Sequence, residues 1–86
     1  MKRLVVRIHH SSHPPYKLHL RLGTRVSDVL AYLNLTTENY VLQPLSDPSK
    51  TFTPQEDLYA LIENDQKLIA TLSAQAIEKF GRTFMQ

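Results

Sequence analysis

Lys2-Arg3-Leu4-Val5-Val6-Arg7-Ile8 and Lys17-Leu18-His19-Leu20-Arg21-Leu22 are the two stretches whose reading decides the fold. In the first, Leu4, Val6 and Ile8 share one parity, while Arg3, Arg7 and His9 share the other. In the second, Leu18, Leu20 and Leu22 alternate with Lys17, His19 and Arg21. Strand side chains at i and i+2 lie on one face, so the alternation predicts a hairpin with an aliphatic face and a basic face. Between the runs, His9 to Tyr16 carries Pro14, Pro15 and two serines, which oppose regular pairing and mark an extended loop.

Downstream of the hairpin the period changes. Gly23-Thr24 closes the second strand and offers Thr24 as an N-cap; Val26, Val29, Leu30 and Leu33 then fall at i, i+3, i+4 and i+7. This predicts a short helix over residues 25–33, with Asp28 in its first turn where a carboxylate suits the dipole and Asn34 as its stop. Tyr40 to Leu45 has strand composition, limited at its far end by Pro44. Ser46 to Pro54 reads as loop. Asp57 to Ile62 reads as an apolar turn or one-turn helix ended by Asn64-Asp65, with Leu58, Leu61 and Ile62 as core beneath it, and Lys67 to Leu72 as the last strand. From Ser73, the spacing of Ala76, Ile77 and Phe80 before Gly81 fits either a short docked helix or a mobile tail. The expected organisation is one domain over 1–72 and an extension over 73–86.

Composition narrows the class. Eighty-six residues, 42% hydrophobic and 21% charged, fit a single small globular core. No apolar run approaches the roughly 20 residues of a membrane span, and the start reaches Arg7 after only a few apolar residues, unlike a signal peptide. With no cysteine there are no disulfides and no thiolate zinc sites, and a cytoplasmic location is the expectation. The net charge of +2 is split: residues 1–35 carry six Lys or Arg against Asp28, whereas 36–86 carry four against seven acids. Such polarity suits either steering of a charged partner or pairing between the halves.

The order of elements resembles the ubiquitin-like β-grasp superfamily. KRLVVRIHH with KLHLRLGT stands for the opening hairpin, TRVSDVLAYL for the helix, YVLQP for the third strand, and EDLYALIENDQKLIATL for the closing turn and strand. The resemblance covers about residues 2–72. It implies an α+β fold, a mixed sheet of four or five strands covered by one helix, in the order second, first, last, third. On that order the core takes Leu4, Val6, Ile8, Leu18, Leu20, Leu22, Leu42, Leu68 and Ala70 opposite Val26, Val29, Leu30 and Leu33. Alternation leaves Arg3, Val5, Arg7, His19, Arg21, Val41, Gln43, Ile69 and Thr71 on the open face.

The resemblance also implies a role. Ubiquitin-like domains commonly bind partners through the open face, which here points to Val5, Val41 and Ile69 as apolar anchors rimmed by Arg7, His19 and Arg21. The expected partner is a protein, through an acidic or amphipathic segment. The alternative is a nucleic-acid or anion binder using the basic hairpin, although Tyr16 is its only nearby aromatic. Covalent modifiers of the family end in Gly-Gly; this chain has Gly81 followed by Arg82-Thr83-Phe84-Met85-Gln86, and processing after Gly81 would expose Phe80-Gly81, so a conjugated modifier or sulfur carrier is the third reading, behind the two binding ones.

Other chemistries find little. His9, His10 and His13 lack a fourth ligand in their loop, so no metal is expected there. There is no Gly-rich phosphate loop and no nucleophile elbow, and Asp57, Glu63 and Asp65 around Tyr59 read as capping and solubility residues. The chain is expected to be no enzyme and to need no cofactor.

Overall fold

A computed structural model describes residues 1–74 and 76–78. Its elements are β1 (Lys2–Ile8), β2 (Tyr16–Leu20), α1 (Val26–Tyr32), β3 (Tyr40–Pro44), α2 (Leu58–Leu61) and β4 (Gln66–Leu72). The four strands form one mixed sheet in the order β2-β1-β4-β3, the order expected. β1 pairs antiparallel with β2 and parallel with β4, and β3 pairs antiparallel with β4. Period-two alternation sends Leu4, Val6, Leu20, Leu42, Leu68 and Ala70 to one face, where they are buried against Val26, Val29, Leu30 and Leu33 of the helical segment. Ile8 and Leu18 pack against this cluster but keep some exposure.

Leu22 does not join the core; it is 81% exposed. β2 ends at Leu20, because residues 21–24 form a turn in which the Thr24 N–H donates to the Arg21 carbonyl at 3.1 Å and Gly23 takes φ of 88°. The same turn explains why Thr24 is not the N-cap. Its hydroxyl donates back to the Arg21 carbonyl at 2.8 Å, and Arg25 takes the cap position instead. The free N–H groups of the first turn of α1 are met from elsewhere: Val26 donates to the Glu56 carbonyl and Ser27 to that of Pro54. Asp28 accepts from the Arg25 N–H at 2.9 Å. At the other end Asn34 has φ of 60°, its N–H reaching the Ala31 carbonyl while Leu35 N–H reaches that of Leu30. This is a Schellman closure, with Leu35 packed on the core as its apolar contact.

The segment read as plain loop supplies the largest fully buried side chain, Phe52. Its N–H donates to the Leu42 carbonyl at 2.9 Å, an isolated bridge that lays the segment along β3. Beneath α2 the core residues are Leu58 and Ile62; Leu61, expected with them, is 42% exposed. Four residues make little more than one turn, so only one side of α2 can face inward. Asp57 caps it by accepting from the Ala60 N–H, and Lys2 holds its far end: the ammonium donates to the Tyr59 and Ile62 carbonyls at 2.7 and 2.8 Å and lies over the Tyr59 ring.

After β4, Ser73 anchors a helical turn. Its N–H donates to the Asn39 carbonyl, its hydroxyl to that of Glu38, and the same hydroxyl accepts from the Ala76 N–H. Ala76 is buried, whereas Ile77, which with Phe80 would dock if the tail packs on the domain, is 57% exposed. Phe80 and Gly81 lie outside the described residues.

Candidate functional site

The side of the sheet away from α1 carries the residues singled out by alternation, and the strand registers set their spacing. Val5 stands between Lys17 of β2 and Lys67 of β4. Ile69 stands between Arg7 of β1 and Gln43 of β3, and Val41 beside Thr71. Every direct cross-strand neighbour of the three aliphatics on this face is therefore polar or cationic. The registers place the three instead along a diagonal, each step crossing one strand and moving two residues along β4. Diagonal Cα pairs lie about 7–8 Å apart, within reach of branched side chains. All three are half-buried.

His19 is exposed in the edge strand, directly opposite Arg3. Arg21 lies one residue past the end of β2, exposed in the turn, so strand register does not tie it to the diagonal. Lys67 was not singled out from the sequence, although it shares parity with Ile69. That parity is the signal that could have found it.

Electrostatics thins the basic set. The Arg3 guanidinium makes a two-point contact with the Asp65 carboxylate, both distances 2.9 Å. The pair is solvent-exposed, so its direct energy is about 0–1 kcal/mol. Backbone ties set its geometry: Arg3 N–H donates to the Asn64 side-chain oxygen and Asp65 N–H to the Arg3 carbonyl, with Asp65 at φ of 65°. Arg3 is thus committed within the molecule. Arg7, Lys17 and Lys67 have no carboxylate within salt-bridge distance among the described residues.

The loop histidines are divided between two contacts. His9 and His10 rings lie 3.8 Å apart, while His13 stacks on Tyr16 at 4.3 Å with its Nδ1 2.6 Å from the Pro14 carbonyl oxygen. Among the described residues no group of three or more His, Cys, Asp or Glu is placed to hold a metal ion. Of the carboxylates noted in the sequence, Asp57 caps α2 and Asp65 holds Arg3. Glu56 is held below the usual carboxylate range, first by the Thr53 backbone N–H and then by the Thr53 hydroxyl, both bonded to one oxygen. No helix among the described residues is long and apolar enough to cross a membrane.

No family model matches the chain, and no curated protein matches it in sequence. Solved structures do. A Caldiarchaeum subterraneum ubiquitin superposes with a TM-score of 0.63 over 85% of this chain and 94% of its own, at 14% identity. A ubiquitin-like protein from the same hyperthermophilic archaeon gives 0.52 over 84% and 96%, also at 14% identity. At that identity the likeness establishes the fold, which is the ubiquitin-like β-grasp.

Proposed function

We propose that this chain is a non-catalytic interaction module of the cytoplasm that binds a protein partner through the open face of its sheet. The observation that carries the reading is the diagonal Val5–Ile69–Val41, set among Arg7, Lys17 and Lys67, cations with no carboxylate within salt-bridge distance among the described residues. Apolar anchors inside a cationic frame suit an amphipathic segment with acidic residues, the aliphatics providing affinity and the charges orientation and encounter rate. Nucleic acid is the less suitable ligand. Tyr16 and Tyr40 sit opposite Val6 and Leu72, on the core-side parity, so the described strands offer no tyrosine on the open face for bases to stack on.

Affinity capture with the wild type, followed by titration of the purified partner against variants, tests the reading. Ile69→Asp is expected to weaken binding by about 30-fold or more with the melt little changed, because Ile69 sits at the middle of the diagonal. Arg7→Glu is expected to slow association and flatten its salt dependence. Binding that survives Ile69→Asp but falls steeply with salt, and depends on Arg7 and Lys17, supports nucleic-acid recognition instead.

A further inference from the structure

Four of the six large hydrophobic side chains left exposed among the described residues gather at one end of the sheet. β1 and β4 begin there, and β2 and β3 end there. Met1 precedes β1, Leu22 follows β2, Leu45 follows β3, and Leu61 lies on α2, whose Tyr59 carbonyl holds the Lys2 ammonium. Leu22 is the most exposed of the four, in the turn that Gly23 closes. Across the same end, at the corner of β3 and β4, a hollow of about 380 Å³ is bordered by Leu45, Ser46, Asp65, Gln66 and Lys67. Its walls are pinned by the backbone. Leu45 N–H donates to the Lys67 carbonyl at 3.0 Å, Asp65 N–H to the Arg3 carbonyl at 2.8 Å, and Glu63 N–H to the Gln66 side-chain oxygen at 2.9 Å. Most charges at this end are spent within the chain: Lys2 on carbonyls, Arg3 on Asp65, Arg25 on the Gln55 side chain and Asp57 on the cap of α2. Arg21 next to Leu22, and Glu63 next to the hollow, have no opposite charge within salt-bridge distance among the described residues.

We propose that two copies of this chain pair end to end, Leu22 of each entering the corner hollow of the other with Arg21 against Glu63. The strand order makes the contact reciprocal. Leu22 continues from one outer strand and the hollow lies by the other, so they occupy opposite sides of the same end. A two-fold axis normal to the sheet, passing beyond the ends of the inner strands β1 and β4, sets β2 of each copy below β3 of the other. Both contacts then form at once and the pair closes, with no free patch left to extend it. A two-fold axis lying in the sheet plane would instead set Leu22 against Leu22 and Arg21 against Arg21, stacking like charges. The leftover charges choose the first arrangement, since the one free base and the one free acid are brought together twice. A tenth of the 6053 Å² surface, about 600 Å² per copy, is the size of a transient pair rather than an obligate one. The pairing does not rest on the open-face reading, because Ile69 does not border the hollow.

Sedimentation of the full chain from about 10 μM to about 1 mM, with amide shifts followed on dilution, tests the proposal. A reversible monomer–dimer equilibrium is expected, with the shifts confined to residues 21–24, 45–46 and 63–67. Leu22→Asp and Leu45→Asp should each keep the chain monomeric; Leu22 is exposed, so its variant keeps the wild-type melt. Arg21→Glu alone, or Glu63→Arg alone, should weaken pairing by about tenfold or more, because each sets like charges together twice. Mixing those two variants should restore it, since every crossed contact then joins an acid to a base. Ile69→Asp should pair as the wild type does. A chain that stays monomeric at the highest concentration overturns the proposal, as does pairing that survives Leu22→Asp or a charge reversal that mixing fails to rescue. Species larger than a dimer would overturn the closed two-fold. Shifts centred on residues 16–20 would overturn it in favour of pairing between β2 edges, and shifts centred on Val5, Val41 and Ile69 in favour of the open face.

Discussion

β2 and β3 are both five-residue edge strands, yet they are protected by different means. β3 is covered by a segment of its own chain, held by the buried Phe52 and by the Gln43 amide reaching the Thr51 hydroxyl at 3.2 Å. β2 has no such cover among the described residues; its protection there is its brevity and the exposed Lys17 and His19. Edge strands must be shielded from unwanted pairing by covering or by charge, and this sheet uses one at each side. Covering makes an edge part of the core. Charge leaves it selective.

The comparison breaks first at Phe52. Phe52→Ala should cost about 3–5 kcal/mol in a denaturant melt, since a fully buried aromatic is lost, and β3 amides should then exchange faster relative to the rest of the sheet. A loss of under 1 kcal/mol would mean that the covering segment is not anchored by its ring. On the β2 side the contrast is sharpest between two leucines two residues apart. Leu20→Ala is expected to cost about 2–4 kcal/mol and Leu22→Ala less than about 0.5, because β2 ends between them. Similar losses at both sites would extend the strand through Arg21.

A smaller effect is expected where the hairpin is tied to the far half of the chain. Lys2→Met removes two hydrogen bonds from a charged donor to the carbonyls of Tyr59 and Ile62, at a cost of about 1–3 kcal/mol, whereas Lys2→Arg should recover part of it. The smallest effect belongs to Glu56, which braces the turn after Phe52. Its carboxyl is held below the usual range in the folded state, so the unfolded chain takes up the proton first on acidification. The stabilisation is complete at neutral pH and is lost as pH falls through the lowered folded value. Melts of wild type and Glu56→Gln compared across pH should therefore converge in acid; a difference independent of pH would remove the titration account.

Parity was legible in the sequence, and register was not. Alternation placed Leu4, Val6, Leu42 and Leu68 inward and Val5, Val41 and Ile69 outward without reference to any partner strand. Whether the outward three form a row or a diagonal depends on offsets between strands more than twenty residues apart, which no local pattern encodes. The same limit hid Asp65 as the partner of Arg3, 62 residues away. Phe52 escaped because one aromatic among prolines and serines has no period; its burial comes from the bridge to Leu42. Leu22 was misplaced because alternation runs on unchanged into a turn. Only the pairing of Thr24 with Arg21 shows that the strand has stopped. The helix was readable at both ends of its apolar stripe, but its N-terminal donors are met by the Pro54 and Glu56 carbonyls, a cap that no nearby residue announces.

The central place of β4 between β1 and β3 sets the order of events at the ribosome. The hairpin of β1 and β2 emerges first, but two strands alone are marginal in water. β3 gains its sheet neighbour only when β4 arrives. Of the described strands, the last in sequence thus joins the first, and the sheet cannot close until residue 72 has left the exit tunnel. Pairing across so much chain is slow compared with local helix formation. Until β4 is made, the inner edge of β1 has no partner among the described strands.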